Sequence, residues 1–216
     1  MSDVDRLQYE REHVARGLAR LAGVDEAGRG PLAGPVVASA VVMPRSWIEE
    51  GIPGSLRRLN DSKQINEKVR EELFEVISLE QCVEHAIGII DAPLIDEINI
   101  LQATHRAMND ALSKLSSPVA HALVDGRPVR TLAVAQTAII KGDAKSYTIA
   151  AASILAKVTR DRLMIQYDQK YPGYGFAGHK GYGTKAHLSA IEELGPCPIH
   201  RMSFAPLKNS QPELFG

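Results

Sequence analysis

The sequence predicts an α/β fold, a mixed sheet covered by helices, on three observations. Short runs of β-branched or small apolar residues recur through the first two thirds of the chain, each bounded by Gly, Pro or charge, as strands are. Segments with apolar residues at helical spacing lie between and after them. An early succession of strands also gives way to strands alternating with helices, the order expected of a mixed sheet with helical layers. With 216 residues and 44% hydrophobic content, the chain can bury one substantial domain.

The amino terminus reads as a charged helix with Asp3, Asp5, Arg6, Glu10, Arg11 and Glu12. It lacks the apolar core of a secretory signal, so no export is expected. Strands are predicted over residues 21–24, 35–43, 83–90 and 120–124, and over 131–140 as two short pieces. Residues 31–44 form the longest uncharged early stretch, too short and too rich in Pro, Gly and Ser to span a bilayer. Asn66 is placed to cap a helix whose apolar face carries Val69, Leu73, Val76 and Ile77. Ile98, Leu101, Met108, Leu112 and Leu115 make a second such face, on which His105 is expected as a packed histidine, since no second ligand lies one turn away. A long helix is predicted over about 144–167, where Ala150, Ala151, Ala152 and Ala156 allow close packing on the sheet. Residues 171–183, rich in Gly, Pro, Tyr and Lys, mark a boundary before a last helix over 184–194.

Charge is uneven. Residues 1–140 hold 15 Lys/Arg against 20 Asp/Glu, a net of −5, whereas residues 141–216 hold 10 against 6, a net of +4. The carboxy-terminal third is therefore the expected face for a polyanion. Cys82 and Cys197 match no metal or redox spacing and fit buried or semi-buried thiols of a reduced, cytoplasmic, soluble protein.

The candidate chemistry starts from Asp25-Glu26, at the end of an apolar run and directly before Ala27-Gly28-Arg29-Gly30. A carboxylate pair at a strand mouth can hold a divalent metal, and glycines beside an arginine let a phosphate-bearing backbone come close. Metal-assisted phosphoryl transfer needs hard oxygen ligands from several elements. Asp125 closes the run Ala122-Leu123-Val124, and Asp143 follows Gly142 at the start of the long helix. Singly, the pair could be a solvated turn, Asp125 a turn residue and Asp143 a cap. Four acids at such places would repel one another, and a metal would resolve the repulsion.

The segments around these acids resemble the ribonuclease HII family. The resemblance rests on residues 23–35 (GVDEAGRGPLAGP), Asn60-Asp61-Ser62-Lys63, Val124-Asp125-Gly126, Lys141-Gly142-Asp143, residues 149–161 (IAAASILAKVTRD), 171–176, 179–184 and 200–204. It covers nearly everything from 21 to 208. It implies a ribonuclease H-like fold with a five-stranded mixed sheet flanked by helices, plus a small helical carboxy-terminal extension. The implied division is an amino-terminal extension (1–20), a catalytic domain (21–170) and a helical portion (171–216) with a flexible tail from about 209.

The implied activity is hydrolysis of the phosphodiester 5′ of a ribonucleotide, in RNA·DNA hybrids or at single ribonucleotides in duplex DNA, leaving a 3′-hydroxyl and a 5′-phosphate. By resemblance, Asp25, Glu26, Asp125 and Asp143 match the metal-binding acids, served by two Mg²⁺ or Mn²⁺ ions. Gly28, Arg29 and Gly30 match the segment whose backbone reads the ribose 2′-hydroxyl, Tyr182 the tyrosine that packs on the next sugar, and Lys63 a phosphate contact. Lys180, Lys185 and Arg201 are expected to extend the backbone-binding surface. Asp161, about five helical turns beyond Asp143, is expected in a salt bridge.

The sequence departs from many relatives in having Gly183, not proline, after Tyr182. The first twenty residues and the tail after Lys208 carry no signature and are expected to tolerate truncation. Gln211-Pro212-Glu213-Leu214-Phe215 weakly resembles a peptide that binds a replication clamp, although a disordered tail is the expectation. A monomer is implied. The competing readings are a resolvase-like nuclease, which does not account for Gly28-Arg29-Gly30 with Tyr182, and a silent hybrid-binding module, which does not need all four acids. A phosphate loop is excluded because no Gly-Lys-Ser/Thr follows Gly30.

Overall fold

The apolar runs form β1 (Leu21–Ala27), β2 (Val36–Val42), β3 (Glu84–Ile90), β4 (His121–Asp125) and β5 (Gln136–Ile139). In the computed structural model, which describes residues 5–60, 62 and 65–210, they join in one sheet of order β3-β2-β1-β4-β5. β2 is antiparallel to β1 and β3, while β4 is parallel to both β1 and β5. The mixed five-stranded sheet is thus present, with β1 central and its first five residues buried.

Helices cover both faces. They are α1 (Gln8–Ala15), α2 (Arg45–Glu50), α3 (Glu67–Leu79), α4 (Ala92–Ser113), α5 (Tyr147–Lys170), α6 (Phe176–His179) and α7 (Lys185–Leu194). Side chains alternate across a strand, so Ala22 and Val24 join Ala103, Ala107, Met108 and Ala111 of α4. Gly23 and Asp25 face α5. A Cβ on Gly23 would lie 2.2 Å from the Thr148 carbonyl carbon, so only glycine lets α5 lie flush on the central strand. On the same side Val41 packs with Leu73 and Ile77 of α3 and Ile154 and Leu155 of α5. Each such fully buried side chain contributes about 1.5–3 kcal/mol.

Caps set the helix starts. Asn66 Oδ1 accepts from Val69 N (2.9 Å), Ser146 Oγ from Ile149 N (3.2 Å) and Thr184 Oγ1 from His187 N (3.2 Å). α4 begins six residues before the apolar stripe at Ile98, capped by Asp91, and it breaks at Asn99 (φ 65°, ψ 161°). There the Asn99 side chain accepts from Leu101 N and Gln102 N, restarting the helix. β5 is one short strand, not two pieces. The Gln136 amide bonds both Val129 N and Val129 O, tying the preceding residues into a turn.

Two expectations about the margins are corrected. The amino-terminal segment is integrated, with Leu7, Glu10 and His13 buried; a missing signature reports missing chemistry, not missing packing. Cys82 is exposed, since β3 starts only at Glu84, while Cys197 is half-buried. His105 packs as expected, its Nδ1 3.0 Å from Thr131 Oγ1. Among the described residues no helix is long and apolar enough to cross a membrane.

Candidate active site

Parallel pairing brings the first acids together. The β1–β4 register runs from Leu21 opposite His121 to Val24 opposite Val124, so Asp25 and Asp125 follow side by side on strands about 4.8 Å apart. Both point toward α5. Glu26, one residue on, emerges on the other side of β1, where Oε1 lies 3.2 Å from Arg29 Nη1. Asp143 arrives from a 3-10 turn (Gly142–Ala144) ahead of α5, entered through Lys141 in the left-handed region (φ 56°). The turn is fastened to Asp125, whose Oδ1 accepts from Gly142 N at 2.6 Å. Asp143 Oδ1 accepts from Ala144 N at 2.9 Å within that turn, while the cap of the long helix is Ser146 and not Asp143.

These four acids, with Gly28, Arg29, Gly30 and Tyr182, line one cleft of about 710 Å³. Burial first, then the negative charges of Glu26 and Asp125, pushes the Asp25 carboxyl well above the usual carboxylate range, although the Glu26 N–H, which donates to it, and the neighbouring Ser153 hydroxyl work the other way. Among the described residues no three carboxylates, histidines or cysteines converge into a ready-made cation cage. An open half-shell still suits Mg²⁺ or Mn²⁺, which keep water and take substrate oxygens in their remaining positions. Burial is the larger cause of the raised Asp25 pKa, but the charges of Glu26 and Asp125 add to it, and a cation would relieve them. Hard carboxylate oxygens are the donors Mg²⁺ or Mn²⁺ takes, so the residues present fit the metal.

The glycine-arginine-glycine loop and the residues that follow it are held from beneath by two buried guanidinium groups. Arg201 donates to Gly28 O (2.6 Å), Arg29 O (3.0 Å) and Gly34 O (3.0 and 2.8 Å). Arg160 donates to Pro35 O (3.0 Å), Ala33 O (3.0 Å) and Lys180 O (2.9 Å). In a trans peptide the N–H points opposite the preceding carbonyl. With the Gly28 and Arg29 carbonyls turned in toward Arg201, the N–H groups of Arg29 and Gly30 project the other way. Burial first, then Arg160's charge, lowers the Arg201 pKa to about 9. The expectation that Arg201 contacts a nucleic-acid backbone is wrong: it is fully buried, where three inward carbonyls need its donors. Gly28 (φ +94°) cannot be replaced here, since a Cβ would sit 2.1 Å from Arg160 Nε.

Tyr182 is 45% exposed at the cleft rim, and a Cβ on Gly30 would lie 3.9 Å from its Cε1. The two segments are joined by Leu32 N donating to Gly181 O (2.8 Å). Tyr182 O meets His187 Nδ1 at 2.9 Å, and His187 Nε2 meets His200 Nε2 at 3.1 Å. Burial lowers the His187 pKa to about 4, so the ring stays neutral.

Lys63 lies outside the described residues, as does the residue 211–215 peptide. Lys185 is exposed, and Lys180 Nζ is turned back onto Ala177 O. Asp161 forms the expected salt bridge, with Lys157 at 2.6 Å. Sequence reasoning missed Arg70, Lys157, Arg160 and Ser62 as cleft residues. Ser153, Lys157 and Arg160 fall at i, i+4 and i+7, and that spacing was the available signal for one helix face turned to the acids. Arg70 is held by Ser62 O (2.9 Å), and Ser62 Oγ by Ser153 Oγ (2.9 Å), contacts that no periodicity announces.

Comparison with known proteins agrees with this geometry. The family model described as Ribonuclease HII matches residues 22–207. Ribonuclease HII of Ruminiclostridium cellulolyticum is 53% identical over 206 residues, covering 94% of this chain and 78% of that protein. Ribonuclease HII of Geobacter sp. strain M21 is 52% identical over 211 residues, covering 98% and 88%. The crystal structure of ribonuclease H2 from Pyrococcus horikoshii OT3 superposes with a TM-score of 0.71 at 29% identity, over 88% of this chain and 96% of that one. With the family model spanning all four acids, the glycine-rich loop and Tyr182, the chain belongs to the ribonuclease HII family.

Proposed function

We propose that this ribonuclease HII-family chain is an endonuclease that hydrolyses the phosphodiester 5′ of a ribonucleotide, in RNA·DNA hybrids and at single ribonucleotides in duplex DNA. The products are a 3′-hydroxyl and a 5′-phosphate, as ribonucleotide excision repair needs. One observation carries the reading: four acids from β1, β4 and the turn before α5 share a cleft with a loop whose backbone donors are fixed outward. Asp25, Glu26, Asp125 and Asp143 are assigned as ligands of Mg²⁺ or Mn²⁺, two ions with substrate bound. When bound, the ions supply an activated water and neutralise charge at the leaving 3′-oxygen.

The remaining work belongs to the chain. The N–H groups of Arg29 and Gly30 are assigned to the ribose 2′-hydroxyl, the group that separates RNA from DNA at one nucleotide. Tyr182 packs on the sugar beyond it. Arg70 and Lys157 supply positive charge for the flanking phosphates, alongside Lys63 by resemblance. The protein works as a cytoplasmic monomer, and the terminal Gln211–Phe215 peptide is the segment a replication clamp would take.

The test uses a labelled DNA duplex with one embedded ribonucleotide, Mg²⁺ or Mn²⁺, and either the native protein or Asp125→Asn. Cleavage 5′ of the ribonucleotide by the native protein alone is expected. Cleavage of all-DNA junctions instead would favour a resolvase-like enzyme, and binding without cleavage a silent module.

A further inference from the structure

The segment before the sheet carries none of the family signature, yet its side chains reach the turn that presents Asp143. Arg6 Nη2 donates to the Asp143 carbonyl at 2.8 Å, and Nη1 to the Leu59 carbonyl, so one guanidinium ties the turn bearing Asp143 to a distant segment of the chain. The same group lies 4.3 Å from the Tyr147 ring centroid, and Arg6 O accepts from Tyr147 N at 3.1 Å. One helical turn on, Glu10 is fully buried. Its Oε1 accepts from Ser146 Oγ and Thr148 Oγ1, both at 2.6 Å, and from Thr148 N at 3.3 Å. At the next turn, His13 Nε2 meets Thr137 Oγ1 at 2.9 Å on β5.

These targets are nearly consecutive in the chain: β5, the turn bearing Asp143, the Ser146 cap and the first turn of α5. β5 is the sheet edge, so among the described residues no strand braces this path from outside. Arg6 takes hold of Asp143 by its backbone carbonyl. Cation ligands need their own supports, held to a fraction of an ångström.

We infer that Arg6 and Glu10 are positioning residues for Asp143, which makes the amino-terminal segment a working part of the metal site. The inference rests on the reading of Asp143 as a cation ligand. Arg6→Lys keeps the charge but loses the rigid fork that spans the two carbonyls, and Glu10→Gln keeps the shape and the Oε1 acceptor but loses the charge that strengthens its bonds to Ser146 and Thr148.

The experiment compares the full-length protein with Arg6→Lys, Glu10→Gln and Asp143→Asn. It measures Mn²⁺ binding to the protein alone by calorimetry, hybrid affinity in EDTA, the Mn²⁺ dependence of cleavage, and the thermal midpoint. For Arg6→Lys and Glu10→Gln, Mn²⁺ affinity is expected to fall about tenfold, with a matching rise in the Mn²⁺ needed for cleavage. Hybrid affinity stays within about twofold, and excess Mn²⁺ restores part of the rate, which a purely structural role would not produce. The proposal is overturned if both variants bind Mn²⁺ like the native protein while only the thermal midpoint drops. If Asp143→Asn itself leaves Mn²⁺ binding intact, the ligand reading fails, and the positioning role with it.

Discussion

Replacing Arg201 by alanine separates a structural cation from a substrate-binding one. The guanidinium is fully buried and satisfies three carbonyls, those of Gly28, Arg29 and Gly34. A hydrogen bond to a charged group is worth about 1.5–3 kcal/mol. Water entering the vacated space would recover part of the sum, so a net loss of about 4 kcal/mol is expected, near the upper end for one substitution. At about 2–4 °C per kcal/mol for a chain this long, the thermal midpoint should fall by about 8–16 °C. Total stabilities of about 5–15 kcal/mol leave most of that range folded in the cold.

Activity should fall beyond the loss of folded protein. With the Gly28 and Arg29 carbonyls released, the N–H groups of Arg29 and Gly30 lose their fixed direction, and misplacement by about 1 Å can cost about 100-fold. The assay is single-turnover cleavage of a one-ribonucleotide duplex at a temperature where both proteins are folded, alongside thermal unfolding. Arg201→Lys should fall between, since an ammonium keeps the charge without the fork. A midpoint within about 3 °C of native, or a large drop with an unchanged cleavage rate, would refute the reasoning.

Gly28→Ala forces a Cβ to 2.1 Å from Arg160 Nε at φ +94°, and cleavage should fall at least about tenfold, whereas Gly54→Ala, with open space around it, should be neutral; equal rates in parallel assays would contradict this. Because the Asp25 pKa is raised in the folded protein, the native state holds more protons than the unfolded one between the ordinary carboxylate pKa and the raised value. Stability without metal therefore falls as pH rises through that window. Asp25→Asn should abolish the fall and leave the metal-free protein more stable at pH 8; urea unfolding in EDTA showing native and variant equal at high pH would contradict it.

Much of the scaffold was legible because its signals are local. The five apolar runs, the Asn66 cap, the start of the last helix near Thr184 and the small-residue face of α5 follow from alternation, helical spacing and turn chemistry. Even the acids were readable as strand-end carboxylates, since Asp125 closes a run of three apolar residues. The break at Asn99 was not legible, because the same apolar stripe continues across it and only the side chain's capping bonds reveal the restart. Cys82 failed as a semi-buried thiol for a similar reason: burial depends on where a strand begins, within a residue or two.

By itself the sequence determined the α/β class, the family and the four acids with their glycine-rich loop, since these are statements about residue type and order. Tertiary structure decided which charges line the cleft and which face inward. Arg201 sits in a basic carboxy-terminal third and reads as a surface cation, yet inward carbonyls from a loop more than 160 residues away draw it into the core. Arg6 and Glu10 belong to no motif, yet their long-range bonds beside the β5 edge of the sheet make them the outer support of Asp143. Burial and long-range hydrogen bonding are properties of pairs of segments, and the order of residues along one segment does not name its partner.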